Sequence, residues 1–162
     1  MTSPSERLAE LGLTLPAVTA PLAAYVPAVA HGGLAWSSGQ LPMASGKLLR
    51  AGLVGESVDP ADAAELARIC ALNALAAVAS VAGPEGIDGI SRIVKVVGFV
   101  ASAAGFTGQP GVVDGASKLL AEVFGEAGRS ARSAVGVAAL PLGAPVEIEV
   151  VAALDVFGSE SV

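Results

Sequence analysis

RSAVGVAALP (residues 132–141), followed by VEIEVVAAL (residues 146–154), is the stretch that decides the fold. Both segments alternate with the two-residue period of a strand, and residues 140–145, with Pro141, Gly143 and Pro145, make a short turn between them. The pair reads as a hairpin. Alternation puts Val135, Val137 and Ala139 on one face of the first strand and Arg132 and Ala134 on the other. In the second strand Val146, Ile148 and Val150 face one way, Glu147 and Glu149 the other. If the apolar faces share one core, register parity groups Arg132 with both glutamates. A guanidinium and carboxylates on one sheet face are costly to bury unless they pair with each other or with a ligand. Spacing alone leaves a solvated surface pair and a ligand site both open.

Upstream of this hairpin, Asp114 is placed to cap a helix whose apolar stripe is Ala116, Leu119, Leu120, Val123 and Phe124, ended by Gly125 and Gly128. Residues 90–101 form a valine-rich strand, and residues 105–111 a glycine-rich loop. Asp59-Pro60-Ala61-Asp62 is a strong helix start, with a capping aspartate, a proline suited to the first turn and a second acid at the positive end of the dipole. That helix runs to about residue 82, with Leu66, Ile69, Cys70, Asn73, Ala77, Val78 and Val81 on one stripe. Residues 40–57 form a long Gly-rich loop with room for a small hairpin. Residues 24–29 and 34–38 are short strands around an Ala30-His31-Gly32-Gly33 turn, and residues 5–13 a short amphipathic helix. The order ββ, helix, β, helix, ββ predicts an α+β domain with two helices on one face of a mixed sheet. The other face, carrying Arg132, Ala134, Gly136, Val151 and Ala153 beside the glutamates, stays uncovered in a monomer and favours self-association.

Composition narrows the chemistry. The chain has 162 residues, 53% hydrophobic and only 15% charged, enough for one domain with a proper core. With 15 acidic against 9 basic residues and no basic cluster, it is a poor match to nucleic acid. Residues 11–46 are free of formal charge if His31 is neutral, but Pro16, Pro21, Pro27 and Pro42 exclude a membrane-spanning helix there. The first residues lack the basic region and apolar run of a signal peptide, which sets a cytoplasmic expectation. One histidine and one cysteine exclude a zinc site or a Cys–His pair in practice, and Cys70 reads as a buried thiol. No dinucleotide or phosphate-loop motif occurs, so neither cofactor nor metal is expected. What remains is Arg132, Glu147, Glu149, Tyr25, Ser38 and Gln40. An arginine fork grips a carboxylate through two parallel bonds, and a nearby carboxylate can orient or deprotonate water. The set suits hydrolysis of a small carboxylate-bearing substrate.

These residues carry a resemblance. Tyr25-Val26, then WSSGQLP (residues 36–42), IVKVV with Phe99-Val100, ARS (residues 131–133) through Leu140-Pro141, and VEIE (residues 146–149) together resemble the Rid family, also called YjgF or L-PSP endoribonuclease-like. The resemblance implies a chorismate-mutase-like fold over residues 24–157, preceded by an extension with a short helix (1–23) and followed by a tail (158–162). It implies a homotrimer with pockets between subunits, and hydrolysis of reactive enamines and imines to 2-oxo acids and ammonia. By motif position Arg132 matches the carboxylate-binding arginine and Glu147 the water-positioning glutamate, while Tyr25 and Ser38 match pocket positions in the first two strands. Two pocket positions depart from the family pattern. Ala134 stands where deaminating members usually have cysteine, and Asp114 where an asparagine is usual. The loops 40–57 and 101–113 are longer than in compact members. The departures keep a second reading in play: a non-catalytic trimer that binds a small carboxylate or supports a neighbouring pathway.

Overall fold

The computed structural model describes residues 2–18 and 23–155, so the expected tail 158–162 lies outside the described residues. In chain order the elements are α1 (Pro4–Glu10), β1 (Ala28–His31), β2 (Leu34–Ser37), a small hairpin of β3 (Met43–Ala44) and β4 (Lys47–Leu48), α2 (Pro60–Ala79), β5 (Ile90–Ala101), α3 (Gln109–Phe124), β6 (Ala131–Val137) and β7 (Val146–Leu154). The main sheet runs β1-β2-β7-β5-β6, with β5 and β6 parallel and every other pair antiparallel. Helices α2 and α3 cover one face. Their Leu75, Val113 and Leu119 share a core with Ile93, Val96, Val146, Ile148 and Val150 of the sheet. The α+β class, the mixed sheet and the two helices on one face are as the sequence predicts.

Local signals set most boundaries. Asp59 caps α2 through a bond from the Ala61 N–H, with Pro60 in the first turn. The helix is apolar on more than the expected stripe. Ala67, Ala71, Ala74 and Leu75 are buried, while Ile69 and Asn73 are only half-buried, because α2 packs against the sheet below and against α3 at its side. The two helices approach closely: a Cβ on Gly115 of α3 would collide with the Ala64 carbonyl of α2. The first turn is Gly32-Gly33 alone, both at positive φ as a tight hairpin requires, and His31 belongs to β1. β1 starts at Ala28, not residue 24, because Pro27 has no N–H to give the ladder. α1 stops at Glu10, short of residue 13, where the chain turns through Gly12 at φ 69.

Three expectations are corrected. First, β6 and β7 are not a hairpin. β5 lies between them, and β6 pairs with β5 in parallel. The connection crosses the end of β5, where the Ala101 N–H donates to Pro145 O and the Ser102 N–H to Val137 O. Second, Asp114 does not cap α3. The helix begins at Gln109, one residue before Pro110, and Asp114 sits in its second turn. Third, the face parity of β6 is reversed. Arg132, Ala134 and Gly136 register with Val96, Gly98 and Val100 on the helix-covered face, whereas Glu147 and Glu149 register with Phe99 and Val97 on the bare one. Ser133, Val135 and Val137 take the bare face instead. The cause is the close fit of α3, where Val113 fills the space a side chain at Gly98 would need, so this part of the covered face takes small residues.

Candidate functional site

The sheet presents two groups of polar residues, one at its β6 edge and one on the central strand β7. At the β6 edge, Arg132 Nη1 donates to Asp114 Oδ1 at 2.6 Å and to Ser117 Oγ at 3.3 Å. Asp114 and Ser117 sit one helical turn apart on α3, so both face β6. The Arg132 side chain retains 24% of its exposure, and neither recorded bond uses Nη2 or Nε. Among the described residues that edge of the fork has no protein partner, and a bidentate contact to a carboxylate would use it. Around the sheet edge, on the bare face, Lys95 Nζ donates to Ser133 Oγ at 2.9 Å.

The second group lies where β2 runs past β7. Ser38 Oγ donates to Val26 O at 2.6 Å and the Ser38 N–H to Pro27 O at 2.8 Å, which ties the Tyr25 segment alongside residues 38–40. Gln40 continues the sheet by exchanging backbone bonds with Ile148. Between them Gly39 has no side chain, and the Glu147 carboxylate occupies the space a Cβ would take. Burial, and then the charge of Glu149 on the same face, raise the Glu147 pKa above its ordinary 4.5. A carboxylate so placed is a stronger base than a solvated one. The Cys70 thiol beneath it is pushed well up by burial, with Glu147 adding to the shift, as suits an inert core thiol.

These groups do not meet within one protomer. Arg132 registers with Val96 and Glu147 with Phe99, two strands apart and on opposite faces. The separation is about 10 Å across the strands and about 10 Å along them. Of the expected site residues, Arg132 and Asp114 come together, and Tyr25, Ser38 and Glu147 form the other group. Tyr25 and Ser38 lie just outside β1 and β2 rather than within them. Ala134 packs against the core under α3, on the same face of β6 as Arg132. Sequence reasoning missed Ser117, although its i+3 spacing from Asp114 would have revealed it once the helix start was placed at Gln109. It also missed the contact between Gly39 and Glu147. Among the described residues no cluster of potential metal ligands occurs, and no helix is long and apolar enough to cross a membrane.

A family model described as "YjgF/chorismate mutase-like, putative endoribonuclease" matches residues 5–154. The chain belongs to this YjgF family. It is 49% identical to Atu1372, a protein of unknown function from Agrobacterium tumefaciens, with a TM-score of 0.86 over 95% of this chain and 94% of that one. A Shewanella oneidensis protein described as a putative endoribonuclease is 33% identical, with a TM-score of 0.88 over 94% and 99% of the two chains. The Escherichia coli YjgF gene product is 28% identical, with a TM-score of 0.58; 86% of this chain covers 97% of that one. This chain therefore spans nearly the whole YjgF product.

Proposed function

We propose that the protein hydrolyses the iminium form of a 2-imino acid to a 2-oxo acid and ammonium, at a site shared by two protomers of a homotrimer. The observation that carries this reading is the division of the polar residues into two half-sites, each with what the other lacks. The Arg132 group offers an oriented fork for a carboxylate, held by Asp114 and Ser117. The Glu147 group offers a half-buried base beside Tyr25 and Ser38. Joined across an interface, they would hold the substrate carboxylate at one end and a water at the other. Glu147 takes a proton as that water attacks the imine carbon, then returns it to the nitrogen of the resulting amino alcohol, whose C–N bond breaks as the hydroxyl loses its proton; the nitrogen leaves as ammonium once it has taken up that proton too, and Glu147 is again a carboxylate. One iminium and one water thus give one oxo acid and one ammonium. The bare sheet face supports the assembly: Val29 and its cross-strand neighbour Trp36 are 50% and 48% exposed there, and Val135 at the opposite edge 44%, apolar surface that a second copy would cover.

A ribonuclease reading has less support. The chain has one histidine, and its excess of acids over bases repels phosphate. A carboxylate-binding trimer without catalysis draws support from one observation. Within one chain the Arg132 fork stands two strands away from Glu147, so it can hold an anion with no base beside it. The test is direct. Purified protein is added to 2-aminoacrylate or 2-iminobutyrate generated in situ, and ammonia release is compared with the uncatalysed rate. Acceleration abolished by Arg132→Ala supports hydrolysis. Binding of a 2-oxo acid without acceleration supports the binder.

A further inference from the structure

We infer that the substrate carries a large apolar side group, received by a cavity that reaches Gly39, the residue against which the Glu147 carboxylate rests; this inference rests on the imino-acid reading above. The cavity measures about 570 Å³. Its walls come from three separate parts of the chain: Val18 of the N-terminal strap, Tyr25 before β1 with Leu41 and Met43 after β2, and Leu142 of the β6–β7 connection. Asn73 closes it from α2 and donates to Leu41 O at 3.0 Å and Met43 O at 3.1 Å, so the wall from β2 to β3 is anchored to a rigid helix. Gly39 is the link to the chemistry. It lines the cavity, and the Glu147 carboxylate rests against it.

Leu142 is held at φ 60, ψ 10 in the turn closed by the Ala144 N–H to Pro141 O bond, a left-handed conformation that costs energy in a bulky residue, and its side chain is 70% exposed. Tyr25 and Val18, on the same cavity, are 57% and 40% exposed. Strain and exposed apolar surface gathered at one opening fit a wall that packs against a ligand rather than against the protein's own core. A cavity of this size is far larger than the methyl group of an alanine-derived imine needs. It fits the side chain of a leucine- or phenylalanine-derived imino acid, with the carboxylate directed outward to the partner's arginine group.

Each methylene buried in such a cavity changes kcat/KM by about fourfold (~0.8 kcal/mol). The experiment generates imines from alanine, leucine and phenylalanine with an amino-acid oxidase and measures kcat/KM for each. In parallel, calorimetry measures binding of pyruvate, 4-methyl-2-oxopentanoate and phenylpyruvate. We expect the leucine- and phenylalanine-derived imines to be preferred over the alanine-derived one by roughly 10- to 50-fold. The preference should collapse in Ala44→Trp, which fills the opening from an exposed hairpin position, and weaken in Leu142→Gly, which removes the apolar wall while relieving its strain. Hydrolysis with equal efficiency for all three imines would overturn the inference and leave the hydrolase reading standing. If no imine is hydrolysed, the hydrolase reading fails and binding decides. Tighter binding of the two apolar oxo acids, lost in Ala44→Trp, sustains the cavity's role, and equal binding of all three overturns it.

Discussion

Arg132 and Glu147 lie on opposite faces of one sheet, separated by the width of β5 and β7. No rotamer of either side chain brings them together around one small substrate. If both are needed for one reaction, each active site takes its arginine from one copy and its glutamate from another.

This makes subunit complementation a sharp test. Arg132→Ala and Glu147→Gln should each be inactive alone. When the two are unfolded, mixed in equal amounts and refolded, random trimers contain intact sites wherever an intact arginine meets an intact glutamate. Activity should return to about a quarter of wild type. Continued inactivity of the mixture would place both residues in one site of one copy, against the register. Light scattering of the wild type should give a trimer at micromolar concentration.

At Arg132, the fork matters as well as the charge. Arg132→Lys should lose nearly as much 2-oxo-acid affinity as Arg132→Ala, roughly 100-fold by calorimetry. Asp114→Asn should act in the opposite direction. It keeps an oxygen for Nη1 but removes the competing charge, and since that pair is part-exposed, the affinity gain is at most about fivefold.

Glu147 predicts two pH dependences. As a base it works deprotonated, so kcat/KM should rise with pH through a value above 4.5 and then level off. Glu147→Gln should remove that limb and cost roughly 100-fold in turnover, whereas Glu149→Gln should cost far less. Stability runs the other way. A carboxyl whose pKa is raised on folding favours the native state only while protonated, and that contribution is lost as pH rises through the folded value. Glu147→Gln should therefore raise the melting temperature at pH 7 and lose this advantage at pH 4. An equal shift at both would show that burial does not strain the charge.

Two glycines separate function from stability. Gly39→Ala should push the Glu147 carboxylate aside and lower turnover by about tenfold or more with little change in melting temperature. Gly115→Ala should instead destabilise by about 1–3 kcal/mol in a denaturant titration, since it drives a methyl group into the Ala64 carbonyl of α2.

Much of the fold was legible. The Asp59-Pro60 start of α2, the valine run of β5 and the alternation of β7 each carry their own signal, and the structure places all three as the sequence predicts. What misled was β6. The rule that bulkier residues face the core would put Val135 and Val137 inward, yet α3 lies so close that Ala134 and Gly136 go beneath it. Periodicity gives alternation but not which side a helix covers. The same limit hid the strand order, because a pattern of two strands and a turn contains nothing about a third strand lying between them. Of the candidate site, the residue types could be read from the motifs, but their division between the edge strand β6 and the central strand β7 depends on pairing with β5, which no local pattern encodes.

The position of β7 bears on how the molecule is made. It is the last strand in chain order, yet it sits in the middle of the sheet, paired to β2 on one side and β5 on the other. Until it arrives, β1–β2 and β5–β6 are two separate ribbons, each with an open inner edge able to pair with another chain. Closure of the sheet, and seating of Glu147 against Gly39 with it, is therefore a late event in biosynthesis, and a ribosome stalled before residue 146 leaves an aggregation-prone intermediate.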